Sequence, residues 1–198
     1  MVESKIWERD PEYMAIIDDI KDHPFVVDLS LFPQHVNGNR QTHSYMVSYY
    51  SYRIAKSLGW NYRAVARAGL LHDLFYYKPG DLDFSHGNHL RNHPKIALIN
   101  ARLVTDLSAM EEDIIIKHMW LATAAMPKYK ESFVVTFVDK YIAVDDFVRP
   151  SFSRMMKAFR VFVKTLVLPA LKLNNKQSNN QQLEDAFEES LEELDKNE

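Results

Sequence analysis

The stretch AGLLHDLFYY, residues 68–77, sets a histidine and an aspartate side by side in an apolar run. Val65, Ala68, His72 and Phe75 share one face of a helix, so His72 points toward the interior. Asp73 follows near the helix C-terminus, where the macrodipole disfavours a carboxylate and a neighbouring cation would favour one. Three more polar residues sit in apolar helical stripes: His43 with Val47, Tyr50, Ile54 and Leu58; His118 with Ile114, Ile115, Leu121 and Ala122; Asp139 with Val135, Ile142 and Ala143. An unpaired buried charge costs several kcal/mol, whereas a divalent cation held by imidazole nitrogens and carboxylate oxygens satisfies all five groups together. Each residue alone reads as a hydrogen-bonded core histidine or a paired aspartate; the joint pattern carries the metal reading.

The elements that must position these groups are helices. Only five glycines are present, and alternation of strand type is scarce, so the chain is expected to be all-α, with about six or seven helices. The first covers about 10–22 and gives way to an irregular stretch around Pro24, Pro33 and Gly38. The second spans about Thr42 to Leu58 and stops at Gly59; the third, capped by Asn61, runs to about Phe75. A long loop follows, with Pro94 in the first turn of a helix ending near Thr105. Ser108 and Glu111 form a capping-box pair, and further helices cover about 131–147 and 150–168.

Residues 149–172 hold six Lys or Arg and no acid, the polar side of a packed helix or a surface for the acidic tail, nucleic acid or membrane. From Leu171 the composition turns polar, and 181–198 carries eight Asp or Glu against one Lys. The division expected is a functional domain over 1–175 and an acidic tail over 176–198. Leu183, Phe187, Leu191 and Leu194 give that tail a stripe that fits either a frayed terminal helix or a homo-oligomer contact.

Composition narrows the chemistry. With 198 residues and 46% hydrophobic content the chain can bury a core, and a net charge of −3 gives no strong nucleic-acid signal. No cysteine is present, which excludes thiolate zinc sites and cysteine nucleophiles and suits a reducing cytoplasm. There is no run of roughly 18 apolar residues, so a cytoplasmic protein without a transmembrane segment is expected.

The segments THSYMVSYYSYRIAKSLGW, AGLLHDLFYY and VVTFVDKYIAVDDF, in this order, resemble the HD-domain metal-dependent phosphohydrolases over roughly 40–148. The resemblance implies a compact helical HD-domain bundle with His43, His72, Asp73 and Asp139 as metal ligands. Two-metal branches insert two further histidines, and His93 and His118 look like those two. Asp73 would then bridge the ions, with His43, His72 and Asp139 on one and His93 and His118 on the other. His86 and His89 stand as alternatives to His93, and a further alternative makes all three loop histidines around an anion pocket. Met119, the position of Lys78 and the missing Gly-Tyr-Pro signature depart from the cyclic-dinucleotide branch and argue against that substrate.

What the resemblance implies is hydrolysis of a phosphoester or phosphoanhydride in a small nucleotide-like substrate by a metal-bound hydroxide. The donor set suits one or two divalent transition metals, iron or manganese first, with zinc, nickel and cobalt also compatible. Arg40, Lys78 and Arg91 are the candidate phosphate cations, and Tyr76, Tyr77 and Trp120 candidate base-stacking rings. The alternatives are a non-catalytic HD module that senses a phosphorylated ligand and a two-iron site for oxygen chemistry on a polyol phosphate.

Overall fold

In a computed structural model of the chain, the described residues are 5–144 apart from 35–37, 79, 82–83 and 85–87. All belong to the first of two units, Met1–Val148. The helix expected over 150–168, the basic run over 149–172, the boundary at 175 and the acidic tail lie outside the described residues.

The molecule is mostly helical, as a compact HD bundle requires. A 3₁₀ turn over Ile6–Arg9 precedes α1 (Pro11–Ile16), α2 (Asp18–Lys21) and α3 (Pro24–Val27), with another 3₁₀ turn over Asp28–Leu31. A two-stranded antiparallel hairpin, β1 (Pro33–Gln34) and β2 (Gly38–Asn39), leads into α4 (Arg40–Ser57) and α5 (Tyr62–Leu71). Then come α6 (His89–Val104), α7 (Ala109–Lys117) and α8, whose described part covers 130–144. No helix among the described residues is long and apolar enough to cross a membrane.

Several boundaries differ from expectation, each for a local reason. The first helix is broken at Ile17 (φ −102°, ψ 7°), where Asp18 and Asp19 open a new first turn. Asn39 accepts from Thr42 N at 2.8 Å, which starts α4 at Arg40 rather than Thr42. Asn88 caps α6 through Arg91 N, so that helix begins at His89 and carries Pro94 in its interior instead of its first turn. In turn α5 ends at Leu71, four residues early, which leaves Phe75 beyond its end and makes His72 the cap residue. Ser108 and Glu111 do form the capping box of α7.

At the centre lies α5, with Ala64, Val65, Ala66, Ala68, Gly69, Leu70 and Leu71 all buried. Its small residues permit a close crossing with α4, where a Cβ built on Gly69 would stand 2.8 Å from the Ser48 Cα. Here the expected stripe on α4 is corrected in its second half: Tyr50, Ile54 and Leu58 are exposed, whereas His43 and Val47 are buried together with Ser44, Ser48, Ser51, Tyr52 and Ala55. The Ser48 hydroxyl accepts from Tyr13 Oη at 2.8 Å and donates to Ala66 O at 2.6 Å, so this buried polar group is satisfied. On α7, Leu121 and Ala122 do not extend the His118 face, because the helix stops at Lys117 and Leu121 adopts φ 77°.

Side-chain ties lock the outer helices. Arg67 on α5 donates to Glu111 of α7 at 3.1 Å and also pairs with Asp19. Glu131 at the start of α8 accepts from Asn61 N at 3.1 Å, and Asp113 of α7 accepts from Ser132 Oγ at 2.8 Å and Lys128 N at 2.9 Å. These links fix α5, α7 and α8 against one another, and His72 and His118 close the C-terminal ends of α5 and α7.

Candidate metal centre

The structure brings His43, His72, Asp73, His93, His118 and Asp139 together. Each contributes to at least one of three groups, His43–His72–Asp73, His72–His118–Asp139 and Asp73–His93–His118, whose ligand-type atoms lie within 4.8 Å of one another. All six are buried, Asp139 the most open at 9%. His43 comes from the first turns of α4, His72 and Asp73 from the end of α5, His93 from α6, His118 from the end of α7 and Asp139 from α8.

Ring orientation is set by the helix ends. Nδ1 of His72 donates to Gly69 O at 2.8 Å, that of His93 to His89 O at 2.9 Å, and that of His118 to Ile115 O at 2.8 Å. A carbonyl oxygen only accepts, so each Nδ1 carries a proton, and Nε2 is the ring atom turned toward the centre, where its lone pair can serve a cation. Nε2 of His93 and His118 face each other at 2.9 Å, both within 3.6 Å of Asp73 Oδ1. Two lone pairs in that position demand a shared proton or another cation.

The other side of the cluster makes the same demand. Nε2 of His72 is buried without a hydrogen-bond partner, 3.6 Å from Asp139 Oδ1 and 3.8 Å from Asp73 Oδ2. Nε2 of His43 lies 3.1 Å from Asp139 Oδ1. Burial alone would raise Asp73, but the imidazoles of His72, His93, His118 and His43 hold it well below the usual carboxylate range. Burial likewise opposes ionisation of Asp139, and the hydrogen bonds of His43 and His72 keep it low. Against the effect of burial, Asp73 and Asp139 push His72 up to about 9. Burial, reinforced by His93 and His72, pushes His118 down to about 3. Imidazole lone pairs and ionised carboxylates facing one volume fit a divalent cation, and the buried His72 Nε2 is the atom most in need of one.

The candidate cations fall differently. Arg40 is 1% exposed and donates from Nη1 to Phe75 O at 2.5 Å, from Nη2 to Tyr77 O at 3.3 Å and from Nε to Gln34 Oε1 at 3.2 Å. Lys78 and Arg91 are exposed, and His86 lies outside the described residues. His89 stacks on His93 with ring centroids 4.5 Å apart and meets Tyr77 Oη at 3.1 Å, so His93 is the member of this pair that enters the cluster. Tyr76 donates to Phe25 O at 2.7 Å, and Trp120 packs edge-on against Phe133.

Two participants escaped the sequence reading. Lys140 donates to His118 O at 2.8 Å with its Nζ 3.7 Å from Asp139 Oδ2; its position directly after Asp139 was the available signal. Gln34 donates from Nε2 to Asp73 Oδ2 at 3.2 Å, and nothing in the periodicity of LFPQHV points to it.

Comparison with known proteins agrees with this geometry. A family model described as HD domain matches residues 40–143, just over half of the 198-residue chain, and spans all six clustered side chains. No curated protein and no solved structure gives a match.

Proposed function

The chain belongs to the HD-domain family, and from that premise we propose that it is a metal-dependent phosphohydrolase acting on a small nucleotide-like substrate. The observation that carries the reading is the set of three imidazoles whose Nδ1 protons are tied to backbone carbonyls, so that each Nε2 faces the buried Asp73 carboxylate.

In this reading His43, His72 and Asp139 hold one divalent cation, His93 and His118 hold a second, and Asp73 serves both. The division follows the two faces of Asp73, with Oδ1 toward His93 and His118 and Oδ2 toward His72. Iron or manganese suits the all-nitrogen-and-oxygen donor set, as do zinc, nickel and cobalt. When bound, such cations lower the pKa of water by several units and screen phosphoryl charge. The chain itself supplies orientation: Gly69 O, His89 O and Ile115 O keep the rings from turning, and Lys140 anchors the end of α7 through His118 O. Lys78, in the segment between α5 and α6, and Arg91, in the first turn of α6, are exposed cations available to substrate phosphate.

The test is metal-stripped protein reconstituted with Mn²⁺, Fe²⁺, Co²⁺, Ni²⁺ or Zn²⁺ and incubated with nucleotides and dinucleoside polyphosphates, with phosphate and nucleotide release measured. Release that needs the metal and disappears in Asp139→Asn is expected. Stoichiometric metal with no turnover across the panel would instead identify a module in which the metal joins the helices and a phosphorylated ligand is only sensed.

A further inference from the structure

We infer that Gln34 and Arg40 form a positioning relay for the Asp73 carboxylate, and that Arg40 acts through this relay instead of contacting substrate phosphate. The inference rests on the metal-site reading above and assigns a role to two residues outside its ligand set.

The chemistry of the donors fixes the direction of the relay. A guanidinium only donates, so the Gln34 atom 3.2 Å from Arg40 Nε must be the amide oxygen. The amide nitrogen is thereby turned toward Asp73 Oδ2, 3.2 Å away. That bond holds the plane of the Asp73 carboxylate so that Oδ1 faces Nε2 of His93 at 3.4 Å and of His118 at 3.6 Å. A neutral amide does this without placing a positive charge beside a cation site, which a lysine or arginine in the same place would do.

Arg40 is committed to its position from several sides. Its Nη1 and Nη2 donate to Phe75 O and Tyr77 O, the backbone just beyond Asp73, and its guanidinium lies 3.6 Å from the Phe75 ring centroid and 5.4 Å from that of Phe32. The hairpin delivers both relay residues together, because Gln34 on β1 pairs with Gly38 on β2 and Arg40 N donates to Phe32 O at 2.9 Å. At 1% exposure Arg40 offers no open face to an anion in solvent.

Metal-stripped parent, Gln34→Met and Arg40→Lys are titrated calorimetrically with Mn²⁺, and the Mn²⁺-loaded proteins are then titrated with inorganic phosphate. Thermal unfolding of each metal-free protein is followed in parallel. Gln34→Met keeps the side-chain volume and the hairpin but lacks the amide, so it tests the relay even where Arg40→Lys disturbs folding. Both variants are expected to bind Mn²⁺ about 10–100-fold more weakly, the usual consequence of losing a group that orients a ligand, with phosphate affinity of the loaded protein unchanged. An unchanged Mn²⁺ affinity in Gln34→Met overturns the relay. Normal Mn²⁺ affinity with lost phosphate binding in Arg40→Lys also overturns it and makes Arg40 a phosphate ligand. A parent that binds no Mn²⁺ overturns the metal-site reading as well, so the two failures are distinct.

Discussion

Replacing Gly69 with alanine tests whether the α4–α5 crossing positions the site. The new Cβ would stand 2.8 Å from the Ser48 Cα and 3.3 Å from the Ser48 Cβ, against a comfortable carbon–carbon separation of about 3.5–4.0 Å. Because the nearest atom is backbone, a side-chain rotation cannot relieve the overlap, and the two helices must part locally by up to about 1 Å. Alanine gains about 1 kcal/mol of helix propensity over glycine. Overpacking of this kind costs roughly 1–3 kcal/mol, and a clash with backbone places it in the upper part of that range. The net expectation is a loss of about 1–2 kcal/mol, read as a lower urea midpoint in the metal-free protein. A second consequence follows, because the Gly69 carbonyl is the acceptor for His72 Nδ1 at 2.8 Å, so metal affinity falls along with stability. Ser48→Gly does not rescue the variant, since the overlap with the backbone of α4 remains. A Gly69→Ala protein at least as stable as its parent and with equal metal affinity would refute the close crossing and its role.

His93→Ala and His118→Ala are each expected to lower bound metal from about two ions to about one per chain, measured by elemental analysis; unchanged content would separate these residues from the site. The metal-free protein should lose stability in mild acid. Burial and neighbouring imidazoles push His118 down to about 3, against about 6.5 in the unfolded chain, so its contribution is full above pH ~6.5 and is lost as the pH falls toward 3. The slope approaches about 1.4 kcal/mol per pH unit well below the unfolded value, whereas near pH ~6.5 His72, pushed up to about 9 and already protonated in the folded chain, offsets part of the loss. Urea midpoints that do not fall between pH 7 and 5 would contradict this. Deletion after Asn175 is expected to leave metal content and turnover per chain unchanged, since the six proposed ligands lie between His43 and Asp139; lost turnover with metal retained would show that the tail completes the substrate site.

The residues that sequence periodicity exposed are those lying on, or closing, helices with a buried face. His43, His72, His118 and Asp139 are buried beside apolar neighbours such as Val47, Ala68, Ile114 and Val135, and burying a polar group requires a partner, so their type and place together carry information even though parts of the expected stripes are exposed. His93 could not be found this way. Pro94 reads as the start of a helix, whereas Asn88 caps one that begins at His89 and carries the proline inside, at the cost of one backbone hydrogen bond. That shift puts His93 one turn past His89 and into the cluster, and only resemblance to a family pointed there.

Hydropathy misread α4 for a different reason. Tyr50, Ile54 and Leu58 look like a core face, but they are exposed, and the close approach of α5 at Gly69 falls on Ser48 of the buried face that Ser44, Ser51 and Ala55 share. A small polar residue carries little hydropathy signal even when fully buried. Arg40 and Gln34 were illegible as a pair, because their connection runs through a four-residue hairpin ladder and a side-chain amide with no periodicity of its own. A charged residue beside a proposed ligand suggests substrate contact, and only burial and hydrogen-bond partners show where its donors go.

Whether two buried carboxylates and four imidazoles form a metal site is tested most directly by the metal content of purified parent and Asp73→Ala protein. Both proteins would be shown folded by thermal unfolding, then analysed for Mn, Fe, Co, Ni and Zn per chain. About two equivalents are expected in the parent, with near-complete loss in Asp73→Ala, because that carboxylate faces both histidine groups and balances the charge of both ions. Stoichiometric metal retained in folded Asp73→Ala would contradict the site.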